Sequence, residues 1–406
     1  MSTSAERLAP ASCSSGRGAG RRGDSGVDDD VRGPLGSDVP DFGRPAAAAG
    51  DTLDVRFLAE GAQSGESVAR ELAAFIGGAQ RSLDIAAYDF RLSPPLGAIV
   101  TDVLRARADA GVVIRIVYDA DKPAQPHLLR GMDPAPSGTG AFVASLGYPF
   151  RRIAGLKLMH QKYIARDPDL PSASVWTGST NFTDDSWTLE ENNILRIADS
   201  SVTIRYAQDF AELWQDGDIQ NTGAVESLTT TLAYGGAPAR VRLYFAPGCG
   251  QTIDDEVARV VASATRRIRI CSMLLNSSAL VAAMRDRLRG GAIPVDGIYD
   301  ATQMQEVFAQ WQDVPHNHWK IDAVREIIQA AHLVGKRSTP YSPTSRHDFM
   351  HNKVLIVDDA VITGSYNFSH SAEQNAENIL FIDSEPLALA YSGYIDALQL
   401  RYGNRS

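Results

Sequence analysis

The sequence predicts an α/β protein made of two similar halves, each a mixed β-sheet flanked by helices, with one active site at their interface. One pattern of polar residues occurs twice, with its histidines 191 residues apart (351 − 160). The order of predicted strands and helices also repeats, with opening strands 186 residues apart (241 − 55). Alternating strands and helices indicate crossover connections in a parallel or mixed sheet. We therefore interpret the chain as a tandem duplication.

Composition limits the classes of protein that the chain can be. Its 406 residues are 44% hydrophobic and 22% charged, which is ordinary for a globular protein. The net charge of −10 argues against a surface that attracts nucleic acid non-specifically, although a local basic groove remains open. Three cysteines are too few for a disulfide framework.

The N-terminal region and the lack of long apolar runs suggest where the protein acts. Residues 1–50 are rich in Ser, Gly, Ala, Pro and Arg without periodicity, and we predict that they are disordered. No apolar run approaches the roughly 18 residues that span a bilayer. The N-terminus also lacks the apolar segment of a secretory signal. The expectation is a cytoplasmic protein without a transmembrane segment.

The first half is predicted to occupy residues 51–214. Apolar residues at helical spacing alternate with short apolar or β-branched runs, and Gly111 ends the second helix. The predicted order is a strand at 55–58, a helix at 67–79, a strand at 82–90, a helix at 96–108 and a buried strand at 112–118.

The second half is predicted to occupy residues 240–406 and to repeat that order. It has strands at 241–245, 267–271 and 293–299, with helices at 255–264 and 278–288. The polar, Gly- and Thr-rich segment 215–239 is predicted to be a linker. The Pro-rich segments 121–148 and 338–346 precede the two histidines and are predicted to be loops at the rim of a cleft.

The repeated pattern is H-x-K-x-x-x-x-D followed by G-S-x-N. A glutamate lies ten residues after the asparagine in both copies (191 − 181 and 377 − 367). The first copy consists of His160, Lys162, Asp167, Ser179, Asn181 and Glu191, and the second of His351, Lys353, Asp358, Ser365, Asn367 and Glu377.

This pattern is suited to chemistry at a phosphoryl group. In a strand, the His and Lys of H-x-K point to the same face, so two copies can bring two imidazoles and two ammonium groups to one pocket. Lysines and asparagine amides can bind an anionic centre, one imidazole can attack phosphorus, and the other can protonate the leaving oxygen. A glutamate on the far ring nitrogen would fix the tautomer, and Glu191 and Glu377 are the candidates.

These residues resemble the paired motifs of the phospholipase D superfamily over roughly residues 55–403. The resemblance implies phosphodiester exchange through a phosphohistidine intermediate, without a metal or other cofactor. It implies that His160 is the nucleophile and His351 the general acid. Lys162, Lys353, Asn181 and Asn367 would bind phosphate with Ser179 and Ser365 beside them, and the motif aspartates Asp167 and Asp358 would act as supports. The first copy departs from the second in an extra asparagine and a five-residue insertion (11 against 6 positions between Asp and Gly).

The predicted function is a phospholipase D-type phosphodiesterase that hydrolyses phospholipid headgroup esters or transfers the phosphatidyl group to an alcohol. The alternative is an endonuclease of the same superfamily that cleaves DNA or RNA. Transfer of the cardiolipin synthase type is disfavoured because the N-terminal membrane spans expected for it are missing. A scaffold without activity is disfavoured because both motifs are complete. The partner is therefore a phospholipid surface or a nucleic acid, and the chain is pseudo-dimeric in itself.

Overall fold

The computed structural model describes residues 48–119, 137–291 and 293–403. Residues 1–47 of the predicted disordered segment lie outside the described residues, and so do residues 121–136 of the first predicted rim loop. The described chain has the predicted α/β fold, with two similar halves that each contain one large mixed sheet.

The first half contains a seven-stranded sheet of order β1-β9-β7-β6-β2-β4-β5, in which β2 is parallel to β4 and antiparallel to β6. Its elements are β1 Leu53–Leu58, α1 Gly65–Gly77, β2 Ser82–Ala87, β3 Phe90–Arg91, α2 Pro94–Asp109, β4 Val113–Tyr118, α3 Thr139–Ser145, β5 Phe150–Arg152, β6 Lys162–Arg166, β7 Ser174–Gly178, β8 Phe182–Thr183, α4 Asp184–Thr188, β9 Asn192–Ile197 and α5 Ser200–Asp216.

The second half contains an eight-stranded sheet of order β10-β11-β17-β16-β15-β12-β13-β14, in which β12 is parallel to β13 and antiparallel to β15. Its elements are β10 Leu228–Tyr234, β11 Ala237–Ala246, α6 Gly250–Ala262, β12 Ile268–Ser272, α7 Ser278–Gly290, β13 Val295–Asp300, α8 Ala301–Gln312, the 3₁₀ turn Pro315–Asn317, α9 His318–Ala330, β14 Val334–Lys336, β15 Lys353–Val357, β16 Ala360–Gly364, the 3₁₀ turn Ala372–Gln374, β17 Glu377–Asp383 and α10 Glu385–Gly403.

The segment 215–239 is more than the predicted linker. Its residues Leu228–Tyr234 form β10, which pairs antiparallel with β11 at the edge of the second sheet. Leu232 and Tyr234 on this strand are buried, while Thr229 and Thr231 before them are exposed and Ala233 between them is half-buried. This alternation of buried and exposed residues is the period of two that a half-buried strand requires. The segment was predicted to be a linker because its composition is polar, and that composition gave no signal for strand β10.

A shared core joins the halves. Helices α5 and α10 contribute to one apolar cluster that also includes residues from both sheets. Phe57 of β1 stacks on Tyr394 of α10, with ring centroids 4.5 Å apart. Helix α5 begins where the Asp199 carboxylate accepts a hydrogen bond from the Val202 N–H, and it ends at Gly217, whose φ of 68° suits glycine. The continuous core holds the two sheets in a fixed relation.

Within residues 48–119, 137–291 and 293–403, no helix combines the length and the apolar character needed to cross a bilayer.

Candidate active site

The two histidine motifs stand at equivalent places in the two sheets. Lys162 is the first residue of β6 and Lys353 the first residue of β15, so each histidine lies two residues before its strand. The residue between His and Lys bonds to the opposite half. The Asn378 amide donates to the Gln161 side chain (2.6 Å), and the Asn193 amide donates to the Asn352 side chain (2.9 Å). These matched bonds indicate a pseudo-twofold relation between the halves.

Backbone hydrogen bonds also join the halves beside the histidines. The His160 N–H donates to the carbonyl of Ala376 (2.8 Å), and the Ala376 N–H donates to the carbonyl of Leu158 (2.8 Å). On the other side, the Glu191 N–H donates to the carbonyl of Phe349 (3.2 Å). The two histidine loops are thus part of the interface between the halves.

His160 is held by a carboxylate from the other half. Its Nδ1 lies 2.9 Å from Oε2 of Glu377, and both side chains are buried. Because an ionised carboxylate only accepts hydrogen bonds, Nδ1 carries the proton and the lone pair of the neutral ring is at Nε2. Burial lowers the pKa of His160 to about 4, although Glu377 opposes this shift. At neutral pH, His160 is therefore an uncharged imidazole with Nε2 able to attack.

His351 is held by an amide instead. Its Nδ1 lies 3.0 Å from Oδ1 of Asn192 and 3.4 Å from Oε2 of Glu190. The Asn192 amide donates to Glu190 (2.9 Å), and the Ser179 hydroxyl donates to Oδ1 of Asn192 (2.7 Å), which together fix the orientation of the amide. Burial and then the charges of Lys353 and Lys162 hold the pKa of His351 well below its ordinary value.

The prediction that Glu191 orients a histidine is wrong. Gly178 pairs with Ile194 in the first sheet, and Gly364 pairs with Ile379 in the second, so the first half has one more residue in this stretch (16 against 15). Asn192 is therefore the counterpart of Glu377. Glu191 points the other way, where its carboxylate is buried against the ammonium of Lys336 and accepts from the hydroxyl of Tyr402. Glu377 lies where the prediction expected it.

The motif lysines are buried beside the histidines. Nζ of Lys162 donates to the carbonyl of His160 (2.8 Å), and Nζ of Lys353 donates to the carbonyl of His351. Burial lowers the pKa of Lys162 to about 7, while Glu377 and Glu190 oppose the shift. Burial and the neighbouring Lys162 also lower the pKa of Lys353. An anion bound between the lysines would offset both effects.

The asparagines and the serines of the pattern differ in their hydrogen bonds. The side-chain oxygens of Asn181 and Asn367 are buried and have no hydrogen-bond partner among the described residues. The Ser179 hydroxyl accepts from the Asn193 N–H (2.9 Å), and the Ser365 hydroxyl accepts from the Asn378 N–H (2.9 Å). Both serines are fully buried in these contacts. Ser179 and Ser365 were predicted to lie beside the phosphate. This is corrected, because each hydroxyl instead supports the backbone of the neighbouring strand.

Asp167 and Asp358 stand outside the pocket. Asp167 accepts from the N–H groups of Gln80, Arg81 and Ser82 at 2.7–2.9 Å. Asp358 accepts in the same way from the N–H groups of Thr265, Arg266 and Arg267. Each carboxylate holds the turn that leads into the neighbouring strand, at the far end of the motif strand from the histidine. Grouping the two aspartates with the catalytic residues is therefore corrected to an anchoring role.

Sequence reasoning missed three features of the pocket. Glu190 and Asn192 were missed because the first half has one more residue than the second half in this stretch. Tyr88 carried no signal because it occurs once, yet its ring centroid is 4.9 Å from that of His160 and 5.1 Å from Nζ of Lys162. Among the described residues, no group of three or more His, Cys, Asp or Glu side chains is placed to hold a metal ion.

Both halves of the chain match the same protein-family model. The family model described as "Cardiolipin synthase, PLD-like domain" matches residues 72–214 and again residues 257–399. No curated protein matches the sequence significantly.

Two solved structures have similar folds. Phosphatidylserine synthase from Haemophilus influenzae Rd KW20 aligns with a TM-score of 0.57 at 13% identity, over 85% of this chain and 86% of that one. Polyphosphate kinase from Porphyromonas gingivalis aligns with a TM-score of 0.53 at 11% identity, over 86% of this chain and 47% of that one. The phospholipase D family member Nuc from Salmonella typhimurium covers 40% of this chain at 23% identity, with a TM-score of 0.31.

Proposed function

The chain belongs to the phospholipase D-like family described as cardiolipin synthase, in two tandem copies, and on that premise we propose that it acts on the headgroup ester of a phospholipid. Water as acceptor gives hydrolysis, and an alcohol as acceptor gives transfer of the phosphatidyl group. The observation that carries the proposal is the pairing of two buried histidines whose Nδ1 atoms are both held by acceptors, Glu377 and Asn192, so that both Nε2 atoms are left for chemistry.

In the first step, Nε2 of His160 attacks phosphorus. The P–N bond forms as the bond from phosphorus to the headgroup oxygen breaks. That oxygen takes the Nε2 proton of a His351 imidazolium, a proton that His351 takes up when the anionic diester binds beside it. Lys162 and Lys353 stabilise the negative charge on the phosphoryl oxygens. Glu377 stabilises the positive charge that the His160 ring gains in the phosphohistidine.

In the second step, water or an alcohol attacks phosphorus from the side that the headgroup left. Its proton passes to Nε2 of His351, the P–N bond breaks, and His160 recovers its lone pair. The products with water are a phosphomonoester and the free headgroup alcohol. His351 therefore acts as an acid in the first step and as a base in the second.

Charge and exposure favour a lipid over a nucleic acid. A nucleic-acid site neutralises several phosphates with lysines and arginines. Near this pocket, Arg91 is paired with Asp89 and Arg346 with Glu60, in a chain of net charge −10. In the loop that leads to His160, Leu156 is 56% exposed, which suits contact with an apolar substrate. The predicted endonuclease becomes an outcome of the test.

The test is an assay of the purified protein on phosphatidylcholine vesicles, single- and double-stranded DNA, and RNA, with and without added ethanol. We expect choline release, and a phosphatidyl-ethanol product if an alcohol can replace water. His351→Ala should lower choline release by roughly 10²–10⁴-fold, the range that a general acid or base contributes. His160→Ala removes the nucleophile and should lower choline release at least as much. His370→Ala is the control, because the His370 side chain is 67% exposed and has no role in the site. Strand cleavage without choline release would replace the lipid proposal with the nuclease.

A further inference from the structure

The sequence repeats a second short pattern that the proposed chemistry does not use. Tyr118-Asp119 ends the third predicted strand of the first half, and Tyr299-Asp300 ends the third predicted strand of the second half. The tyrosines are in equivalent places. Tyr118 and Lys162 both pair with Ala87 across the first sheet, and Tyr299 and Lys353 both pair with Ser272 across the second. Each aspartate thus follows the residue that is in register with a motif lysine.

Both aspartates make the same hydrogen bond. Oδ1 of Asp119 accepts from the N–H of Met159 at 2.9 Å, and Oδ2 of Asp300 accepts from the N–H of Met350 at 3.0 Å. Both carboxylates and both methionines are buried. Each methionine immediately precedes a histidine of the pocket. The bond therefore fixes the peptide plane on the N-terminal side of the methionine, which is next to the peptide unit that begins the histidine.

The bond completes the positioning of the histidine loop. In the first half, Ala376 bonds to the backbone of Leu158 and of His160, on either side of Met159. The Met159 N–H between them is taken by Asp119, so three successive residues are held by hydrogen bonds. Reacting groups must be held closely, because a displacement of about 1 Å can cost roughly 100-fold in rate.

We propose that Asp119 and Asp300 are positioning residues that fix His160 and His351, each acting through the backbone N–H of the preceding methionine. The inference rests on the proposed function and adds to it one buried carboxylate for each histidine. A role limited to stability is the competing explanation, since any buried N–H needs an acceptor. The two explanations differ in which chemical step the loss of each carboxylate slows.

The experiment uses bis(p-nitrophenyl) phosphate, whose leaving group needs little help from an acid. Asp119→Ala should slow formation of the phosphohistidine by roughly 10–100-fold, so that no burst of nitrophenol appears. Asp300→Ala should keep the burst and slow the second step by a similar factor, so that phosphohistidine accumulates on His160. KM should change little in either variant. Asp119→Asn and Asp300→Asn, which keep an acceptor oxygen, should recover most of the rate.

The control is Asp84→Asn, because Asp84 is also buried in the first sheet but bonds to Arg115. It should leave both steps unchanged. Full kcat in folded Asp119→Ala and Asp300→Ala, or an equal loss in Asp84→Asn, would overturn the inference. If an alanine variant does not fold, Asp119→Glu and Asp300→Glu answer the question, since a longer side chain displaces the methionine and full activity would contradict positioning.

A measurement without turnover separates this inference from the proposed function. In protein labelled with ¹⁵N-histidine, Asp119→Ala should shift the ring signals of His160 and leave those of His351, and Asp300→Ala should do the reverse. Unshifted signals in both variants would overturn the positioning role. A wild-type protein that cleaves neither the chromogenic diester nor a lipid would overturn the proposed function instead.

Discussion

Nδ1 of His160 lies 2.9 Å from Oε2 of Glu377, a residue 217 positions later in the chain and in the other half of the molecule. The equivalent contact of His351 is to the amide oxygen of Asn192 at 3.0 Å. The halves thus exchange the groups that hold their histidines, but one group is a carboxylate and the other an amide. A carboxylate stabilises a cationic phosphohistidine better than an amide does, and the Glu190 carboxylate is farther from Nδ1 of His351 (3.4 Å) than Glu377 is from His160, which favours His160 as the nucleophile.

Replacement of Glu377 by Gln should lower kcat by roughly 10–100-fold. The variant keeps the size of the side chain but loses a charged hydrogen bond worth about 1.5–3 kcal/mol. The measurement is the rate of nitrophenol release, with mass spectrometry of the phosphohistidine. Asn192→Asp is the matched change, and it should raise the pKa of His351 and carry activity to higher pH. An unchanged kcat in Glu377→Gln would contradict the assignment of His160 as the nucleophile.

Binding of a phosphodiester should take up protons at pH 8. Because the pKa of Lys162 is about 7 in the empty pocket, this lysine is mostly neutral at pH 8, and an anion beside it favours the charged form. Affinity should therefore fall as the pH rises above about 7. Dimethyl phosphate is a suitable probe, since it stays singly charged over this range.

The proton uptake can be measured by calorimetry in buffers of different ionisation enthalpy. Lys162→Met should bind the probe more weakly at pH 6 and take up fewer protons at pH 8. Equal binding enthalpies in all buffers at pH 8 would show that the lysines do not change their charge.

Lys336→Met should destabilise the protein by about 3–5 kcal/mol. The substitution leaves the carboxylate of Glu191 buried without its cation, and Glu191 and Lys336 are 0% and 1% exposed. The double variant Glu191→Gln, Lys336→Met should recover part of the loss, because no buried charge remains unpaired. Urea denaturation measures both variants. Arg289→Met, at an exposed pair with Glu326, is the control and should change stability little. A Lys336→Met variant as stable as the wild type would show that this buried pair does not stabilise the fold.

Excess EDTA should leave turnover unchanged. The proposed steps use two imidazoles and two lysines, and the resemblance to the phospholipase D superfamily implies chemistry without a metal. The measurement is choline release before and after dialysis against chelator, followed by addition of Mg²⁺, Ca²⁺ or Zn²⁺. A loss of activity that a cation restores would identify a required metal ion.

Equal spacing misled the sequence analysis at one position. Glu191 and Glu377 both lie ten residues after the motif asparagine, yet Asn192 is the residue that faces a histidine. The connecting stretch forms α4 in the first half and a 3₁₀ turn in the second. Between the paired strand positions, the whole stretch is one residue longer in the first half (16 against 15). A shift of one residue in a strand turns every side chain to the opposite face. A count along the chain cannot detect that shift.

The repeat in the sequence is enough to establish the duplication and the α/β class, and it predicts that His160, Lys162, His351 and Lys353 form one site, because repeated polar residues at fixed spacing report on strand geometry. Which groups hold each histidine is visible only in the folded structure. Glu377 and Asn192 reach the histidines across the interface between the halves, and Asp119 and Asp300 reach the preceding methionines from separate strands. Contacts between residues far apart in the chain depend on how the sheets pack, and local patterns carry no record of that packing.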